Sequence, residues 1–390
     1  MRTPDGRVWT TAGPAYPAWS RYLAAFDRVR IVARVEDVAH RPAGAAAIDG
    51  PNVDVWPVPY YVGPRQYLAR RRAVREAVVA AVTPQDACIM RTPSQIATVL
   101  YGELRRRRQP YALEVIGDPH DVFAPGVVRH PLRPLIRHRF TAQLAAQCRS
   151  ASAVCYVTDT ALQTRYPAGA GVPAVSCSDV NLPSGAYVTR PRPVEAFAAA
   201  SRLVSVGSLD QLYKGIDTLL EALGLLARSH PELRLVHVGD GRFRAHLVEL
   251  TRQHRITDRV TFAGALPPGE AVRDQLDAAD LFVMPSRTEG MPRALIEAMA
   301  RGLPAIGSAV GGIPELLSPD DLVPRDDPAR LAESISRMLA DRSRAAEASA
   351  RNLARAHDFR AERLDVTRRH FLDLVRQRSH RSVTEPATRG

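Results

Sequence analysis

Lysine is almost absent from this sequence of 390 residues. Of its 53 lysine and arginine residues only Lys214 is a lysine, and arginine serves as the cation everywhere else. A guanidinium is a planar fork, whereas an ammonium is a compact charge on a flexible stem. A single lysine in this composition indicates a position that needs a point charge, such as a contact with a phosphate. The alternative is that one lysine has survived by chance on a solvated loop.

Several other features are also scarce or missing. The four cysteines have no metal-type spacing, which predicts free thiols in a reducing compartment. No apolar run reaches membrane-spanning length. We find no Walker loop, no Gly-x-Ser-x-Gly elbow, no His-Glu-x-x-His pattern and no Asp-x-Asp motif that would hold a metal on a diphosphate. We therefore expect a cytoplasmic protein that uses neither a cofactor nor a metal.

What is present indicates an α/β protein of two domains. A chain of 390 residues with 45% hydrophobic and 24% charged residues is globular and suits two cores. Prolines mark a linker near residue 190. Beyond it, short apolar strands alternate with amphipathic helices, which predicts a parallel sheet covered on both faces. The predicted strands there are Leu203–Val206, Leu233–Val238, Arg259–Phe262, Leu281–Met284 and Ala305–Gly307, and the helices include Ile216–Ser229 and Phe243–His254.

The first half has a similar but less regular pattern. Its predicted strands are Val29–Val35, Val53–Val58, Ala87–Arg91, Tyr111–Ile116 and Val154–Val157. Its predicted helices are Pro17–Phe26, Arg65–Val82, Gln95–Arg106 and Leu132–Arg149. The repetition of strand and helix again predicts a parallel sheet.

The most specific pattern lies in residues 286–317. Glu289 and Glu297 stand eight positions apart around a strand–turn–helix joint, in which Gly290 and Pro292 predict the turn and the first helical position. A helix start offers free N–H groups and a partial positive charge to an anion. A carboxylate on each side of such a helix start is what a nucleotide-sugar pocket requires. A solvated amphipathic helix is the alternative.

With its flanks, this segment resembles the Glu-x7-Glu donor motif of retaining glycosyltransferases of family 4, which have the GT-B fold. The matching residues are Glu289-Gly290, Glu297-Ala298-Met299-Ala300, Gly302-x-Pro304, Gly311-Gly312 and Glu315. The resemblance implies two doubly wound, Rossmann-like domains facing across a cleft, and a C-terminal helix that crosses back. We accordingly predict a first domain at 1–188, a linker at 189–200, a donor domain at 201–355, a crossover helix at 356–376 and a disordered tail at 377–390.

The resemblance also implies roles for individual residues. Lys214 would bind the donor phosphates, Glu297 the ribose, and Glu289 with the backbone of Gly290 and Met291 the sugar. The predicted donor-binding residues are Gly207, Ser208, Lys214, Gly264, Glu289, Gly290, Met291, Pro292 and Glu297, and the predicted catalytic residues are Lys214, Glu289 and Asp118. The implied reaction moves a hexose from a UDP- or GDP-sugar to a hydroxyl of a glycan, glycolipid or secondary metabolite, with retention and without a metal.

The sequence departs from the family in two places. The family often has a basic residue six positions before the lysine, where this chain has Ser208. Arg202, Arg242 and Arg293 are candidates to replace that charge. The family also opens with a strand leading into a glycine-rich loop, whereas this chain opens with Asp5-Gly6-Arg7-Val8-Trp9. We therefore expect an unpaired sheet edge near the cleft.

Asp118 and His120 follow a predicted strand of the first half, where related enzymes often have a histidine close to the reacting sugar. Either residue could hold that place. A helix cap or turn is the alternative for Asp118.

The positive charge is concentrated in the first half. Residues 1–190 carry 24 arginines against 14 acidic residues. A basic face can attract an anionic membrane surface or a lipid diphosphate acceptor, so the inner face of the membrane is an alternative location. Solvated arginine-rich helices would explain the same count. We expect no nucleic-acid partner, because few aromatic residues are interleaved with the arginines. Two rival functions stay open, a nucleotide-sugar epimerase or phosphorylase of similar fold and a non-catalytic GT-B binding protein.

Overall fold

The chain folds into two α/β domains joined by a linker and a returning helix. The computed structural model describes residues 1–11, 13–124, 131–180 and 182–384, with the side chains of 380–384 left aside. The strands of the first domain are β1 (Trp9–Thr10), β2 (Val29–Val35), β3 (Ala46–Ala47), β4 (Val53–Pro59), β5 (Cys88–Thr92), β6 (Tyr111–Val115), β7 (Ala153–Tyr156) and β8 (Ala174–Ser176). Its helices are α1 (Tyr16–Ser20), α2 (Gly63–Ala80), α3 (Gln95–Arg107), α4 (Pro119–Val122), α5 (Arg133–Ser150) and α6 (Ala161–Arg165).

The second domain is built on one fully parallel sheet. Its strands are β9 (Arg202–Val206), β10 (Arg234–Val238), β11 (Val260–Gly264), β12 (Leu281–Met284), β13 (Ala305–Ser308) and β14 (Leu322–Val323), in the order β11-β10-β9-β12-β13-β14. Its helices are α7 (Ile216–Leu226), α8 (Arg244–Gln253), α9 (Glu270–Asp277), α10 (Arg293–Ala300), α11 (Pro328–Ala340) and α12 (Arg342–Ala356), followed by α13 (Ala361–Thr384). All four residues of β12 are buried, as helices on both faces of a sheet require. The predicted α/β fold is confirmed.

The sheet of the first domain is divided. Strand β2 pairs with β4, and a separate sheet runs β5-β6-β7-β8, with parallel pairing in both. In the usual doubly wound order the first strand lies between the second and the fourth. Among the described residues no strand lies between β2 and β5, so each has an unpaired edge.

The last helix crosses back to the first domain. Helix α13 contacts β6, β7 and β8, and its Phe371, Leu372 and Val375 are buried in the same core as Leu113 and Val154. The predicted crossover is therefore confirmed, but its predicted end at residue 376 is wrong. The helix continues through residues 377–384, which we predicted as disordered, and residues 385–390 lie outside the described part.

Candidate functional site

The lone lysine lies beside the carboxyl end of β9. Its stem crosses Gly207 so closely that a Cβ there would stand 3.1 Å from the Lys214 Cγ atom. The next residue, Gly215, has φ +68°, and a Cβ on it would lie 2.0 Å from the carbonyl oxygen of Pro285. Gly215 is required by this packing, and a side chain on Gly207 would press on the lysine stem. The loop is thereby held against the segment that leads to Glu289.

Lys214 and Glu289, 75 residues apart in sequence, form an ion pair. The Lys214 Nζ atom lies 2.7 Å from Glu289 Oε1, and the two side chains are only 16% and 8% exposed. Ser286 Oγ donates to the same carboxylate oxygen over 2.6 Å. Burial lowers the pKa of Lys214, but the Glu289 carboxylate and Tyr213 outweigh it, so the pKa lies above its ordinary value. The ammonium therefore stays charged throughout the physiological range.

Arg287 links the loop of Lys214 to the segment that leads to Glu289. Its guanidinium donates to both carboxylate oxygens of Asp217 over 2.9 Å, while its backbone N–H donates to Tyr213 over 2.7 Å. A bidentate arginine–carboxylate pair fixes both distance and angle. Arg287 therefore sets the spacing between Lys214 and Glu289, a role that sequence reasoning missed.

The turn after Glu289 is enclosed from both sides. A Cβ on Gly290 would stand 2.7 Å from the Ile116 carbonyl oxygen of the first domain. On the other side, Gly312 N–H donates to Gly290 O over 2.9 Å, and a Cβ on Gly311 would lie 1.9 Å from Glu289 O. The glycines of the motif are therefore explained by close backbone approach.

Helix α10 begins one residue later than predicted. Pro292 is its N-cap, not its first helical residue, and Met291 before it is buried. Glu297 lies about a turn and a half into the helix, where its Oε1 accepts from Arg293 Nε over 2.8 Å. In this structure both glutamates of the motif are paired with a cation.

Ser208 is exposed, and its hydroxyl bonds to Asp210 within its own loop. Its Oγ donates to Asp210 Oδ2 over 3.1 Å, and Arg242 Nε donates to the Asp210 carbonyl oxygen over 2.6 Å. Of the three arginines considered for the missing charge, Arg202 starts β9 at the opposite end of the strand, and Arg293 is engaged by Glu297. Arg242 is therefore the cation that lies next to the Ser208 loop.

Gly264 ends β11 with φ +75°, and a Cβ there would meet open space. The Gly239 N–H donates to Gly264 O over 2.9 Å. Both glycines lie at the carboxyl edge of the sheet, the edge at which open α/β sheets bind ligands.

His237 is a buried support of the Lys214 loop that sequence reasoning also missed. Its Nε2 lies 3.1 Å from Gly207 O, and its Nδ1 lies 2.8 Å from Ser205 Oγ. Burial, with a smaller effect from nearby Lys214, lowers the pKa of His237 to about 4. A neutral ring can donate to the Gly207 carbonyl and accept from the hydroxyl. A single histidine in an apolar strand just before Gly239-Asp240-Gly241 was the available signal.

The burial of His237 predicts a loss of stability in acid. The unfolded histidine binds a proton below its ordinary pKa of 6.5, whereas the folded one resists protonation down to about 4. The contribution is complete above pH 6.5 and is lost as the pH falls toward 4, at most about 3 kcal/mol. Urea unfolding between pH 7 and pH 4 should show a weaker pH dependence for His237→Gln than for the wild type. The exposed His246→Gln is the control, and an unchanged slope in His237→Gln would contradict the assignment.

Asp118 is the N-cap of α4, as the alternative interpretation held. It accepts from the backbone N–H of His120 over 2.8 Å and also from Arg165 and Tyr166. Asp118 is buried, and its bonds tie α4 to α6. Its predicted catalytic role stays a prediction.

His120 lies on α4 beside Asp121. Its Nδ1 is 3.0 Å from Asp121 Oδ1 and 3.0 Å from Arg137 Nη2. In the described part of the chain, Asp118, His120 and Asp121 form a group whose ligand atoms lie within 4.8 Å of one another. The guanidiniums of Arg165 and Arg137 already contact this group, so their positive charges compensate its two carboxylates.

Comparison with known proteins agrees with this geometry. Residues 170–341 match the family described as glycosyl transferases group 1. Protein CapJ of Staphylococcus aureus is 22% identical over 92% of this chain and 90% of its own length. The putative colanic acid biosynthesis glycosyltransferase WcaL of Escherichia coli is 37% identical over 39% of this chain and 40% of its own length.

Two solved structures show the fold. Sucrose-phosphate synthase from Thermosynechococcus elongatus superposes with a TM-score of 0.66 at 22% identity, covering 90% of this chain and 89% of that one. Anabaena HepE in complex with UDP-glucose gives 0.62 at 18% identity, covering 96% of this chain and 97% of that one. The chain thus has the GT-B fold of these structures, and its match to the glycosyl transferases group 1 family extends over residues 170–341.

Proposed function

We propose that this protein is a retaining glycosyltransferase of family 4 that moves a hexose from a nucleotide diphosphate sugar to an acceptor hydroxyl. The observation that carries the proposal is the part-buried ion pair of Lys214 and Glu289 at the carboxyl edge of a parallel sheet. A cation that can reach a diphosphate and a carboxylate that can reach sugar hydroxyls lie there side by side. The rival epimerase and non-catalytic functions are not favoured, because the family match is to transferases.

The donor would bind mainly to the second domain. Lys214 would neutralise the leaving diphosphate, and the loop of Gly207 and Ser208 would face the same group. Glu289, with the backbone of Gly290 and Met291, would orient the anomeric carbon. The acceptor hydroxyl would enter from the first domain, on the face from which the diphosphate departs. Positioning and charge stabilisation would supply the catalysis without a metal.

The remaining site residues would complete the donor pocket. Pro292 is the N-cap of α10, and the partial positive charge at the N-terminus of this helix favours an anion. Glu297 would accept from the ribose diol after Arg293 moves aside. Gly264, with no side chain over the sheet edge, leaves space for the nucleotide.

Donor binding requires an exchange of partners. Within the site the Lys214 ammonium is neutralised by Glu289 at 2.7 Å. An incoming diphosphate would compete for the ammonium, and the sugar hydroxyls would replace it on the carboxylate. Arg242, next to the Ser208 loop, would supply the second positive charge that Ser208 lacks.

UDP is the first nucleotide to test, because HepE was solved with UDP-glucose. GDP is the alternative, and a glycan is the first acceptor class, because WcaL is named for colanic acid biosynthesis. Calorimetric titration of the full-length protein with UDP, GDP and dTDP in the presence of a chelator should show one nucleotide binding. Binding of none to the folded protein would remove the main support for a transferase. Product stereochemistry, read by NMR, tests retention.

We further propose that the first domain rests on an anionic membrane surface through α2. This helix buries little more than Val74 and Val78 and exposes Leu68. Its arginines 65, 71, 72 and 75 are exposed and make no ion pair within the described part of the chain. Exposed cations around an apolar side chain favour anionic lipid. Among the described residues no helix has the length and apolar character to cross a bilayer.

Vesicle binding tests this surface. Each arginine near an anionic surface contributes about 1 kcal/mol, so changing all four to glutamine should weaken partitioning onto phosphatidylglycerol vesicles at least about 100-fold. The matched control changes four exposed arginines of the second domain, Arg228, Arg252, Arg330 and Arg337. Equal losses in both variants, or equal binding to neutral vesicles, would argue against a specific α2 surface.

A further inference from the structure

Glu315 lies on a loop that is packed against the donor-site turn. After β13, Gly311 and Gly312 press on the backbone of Glu289 and Gly290, with an N–H to carbonyl bond of 2.9 Å between Gly312 and Gly290. A short 3-10 turn then brings Glu315 to the edge of the second domain. Glu315 is thus connected through Gly311 and Gly312 to the turn that holds Glu289.

The Glu315 carboxylate crosses to the first domain. Its Oε2 accepts from the backbone N–H of Asp159 over 2.6 Å. Its Oε1 accepts from the N–H groups of Thr160 and Ala161 over 3.0 and 2.7 Å, and from Thr160 Oγ1 over 3.1 Å. These donors lie in the loop after β7 and at the first residue of α6, so a side chain of one domain caps a helix of the other. Hydrogen bonds to an ionised acceptor are roughly twice as strong as neutral ones.

Arg355 reinforces the same junction. Its Nη2 lies 2.8 Å from Asp159 Oδ2 in the first domain, and its Nε donates to the Glu315 carbonyl oxygen over 3.2 Å. Its Nη1 also pairs with Asp358 over 2.6 Å. Because Arg355 lies in the last turn of α12, just before the chain returns to the first domain, the junction joins three segments.

A second contact between the domains lies at the donor turn itself. Gly290 approaches the Ile116 carbonyl so closely that a Cβ would stand 2.7 Å away, and it also lies next to Val157. Ile116 and Val157 follow β6 and β7 directly, so this contact and the Glu315 cap use adjacent strand ends of the first domain. The Gly290 contact and the Glu315 cap together hold the two domains against each other close to the donor site.

We propose that Glu315 is a positioning residue that sets the angle between the two domains and so aligns the turn of Glu289 with the acceptor side of the cleft. The proposal rests on the transferase function proposed above. Because the donor binds the second domain, Glu315 contributes little to donor affinity. It contributes to transfer, which needs the donor and the acceptor from different domains in register.

The test compares Glu315→Gln and Glu315→Ala with the wild type, and Glu347→Gln on the exposed face of α12 is the matched control. The glutamine variant replaces one acceptor oxygen by an amide donor opposite the backbone N–H groups of the first domain, and the alanine variant removes all four bonds. We expect kcat for transfer to fall about 10-fold and 100-fold respectively, since a misplacement of about 1 Å costs about 100-fold. Donor Kd should stay within about twofold, and the control should match the wild type in both.

A structural readout accompanies the kinetics. The ligand-free Glu315→Ala protein should have a larger radius of gyration by X-ray scattering, and faster amide exchange both at residues 159–161 and at 289–291. Faster exchange at 159–161 alone, with unchanged kcat and radius, would reduce Glu315 to a local cap and overturn the proposal. A loss of donor affinity equal to the loss of kcat would also overturn it.

If Glu315→Ala does not fold, Arg355→Gln leaves the Glu315 carboxylate in place, removes the ion pairs with Asp159 and Asp358 and the bond to the Glu315 carbonyl, and should show the same pattern at smaller size. If the wild type binds no nucleotide, the proposed function fails, but the scattering comparison still decides whether Glu315 sets the domain angle.

Discussion

Replacement of Lys214 by alanine is expected to weaken binding of the donor nucleotide by about 100-fold. A hydrogen bond to a charged group contributes about 1.5–3 kcal/mol, and the variant also leaves the Glu289 carboxylate buried without its cation. That unpaired charge repels the diphosphate, so the loss adds to that of the missing contact. Calorimetric titration of the wild type and of Lys214→Ala with the nucleotide that binds measures the effect.

Lys214→Arg is the informative control for this prediction. The aliphatic stem of Lys214 lies so close to Gly207 that a Cβ on that glycine would stand 3.1 Å from the Lys214 Cγ atom. A planar guanidinium needs more room than an ammonium, so arginine should not restore full affinity although the charge is kept. Full affinity in the arginine variant would mean that any cation suffices, and full affinity in the alanine variant would place the phosphates elsewhere.

Replacement of Glu289 by glutamine is expected to act in opposite directions on binding and on transfer. Without the carboxylate, Lys214 no longer has an internal anion, and a like charge is removed from the neighbourhood of the diphosphate. The bare nucleotide diphosphate should therefore bind up to about 10-fold more tightly. Transfer should fall about 100-fold or more, because the group that orients the reacting sugar is lost.

The opposite signs distinguish this prediction from damage to the fold. A misfolded site would lose both binding and transfer, as would a site in which Glu289 only holds Lys214 in place. Glu333→Gln, an exposed glutamate on α11, is the control and should leave both unchanged. Weaker nucleotide binding by Glu289→Gln would contradict the exchange of partners proposed for donor binding.

The strands and helices near the donor site could be predicted because their signals are local. Val29–Val35 and Leu281–Met284 were predicted with the bounds that the structure shows. Gly290 and Pro292 marked the turn, although Pro292 proved to be the N-cap of α10. The wrong predictions concern segments whose local sequence is compatible with more than one structure. The last helix runs to Thr384, past its predicted end at residue 376, whereas its buried contacts with the first domain lie at Phe371, Leu372 and Val375.

The residues of the candidate site likewise divide into those that the sequence identified and those that only the structure revealed. Lys214 was identified by the rarity of lysine, and Glu289 and Glu297 by their flanks. Arg287 and His237 were missed, because their partners Asp217 and Gly207 lie far away in sequence or on the backbone. For Asp118 the sequence left two interpretations open, a helix cap and a catalytic residue. Only the positions of Arg165 and Tyr166 showed what its carboxylate contacts.

The sequence by itself determined the α/β class, the division into two domains and the residues around which a donor site could form. These depend on hydrophobic period, on turn residues and on one unusual lysine, all of which act over a few positions. The tertiary structure alone decided that Lys214 pairs with Glu289 across 75 residues. It also decided that Glu315 reaches Asp159 across 156 residues. Contacts between such distant positions depend on how sheets and domains pack, and short-range patterns carry no information about that packing.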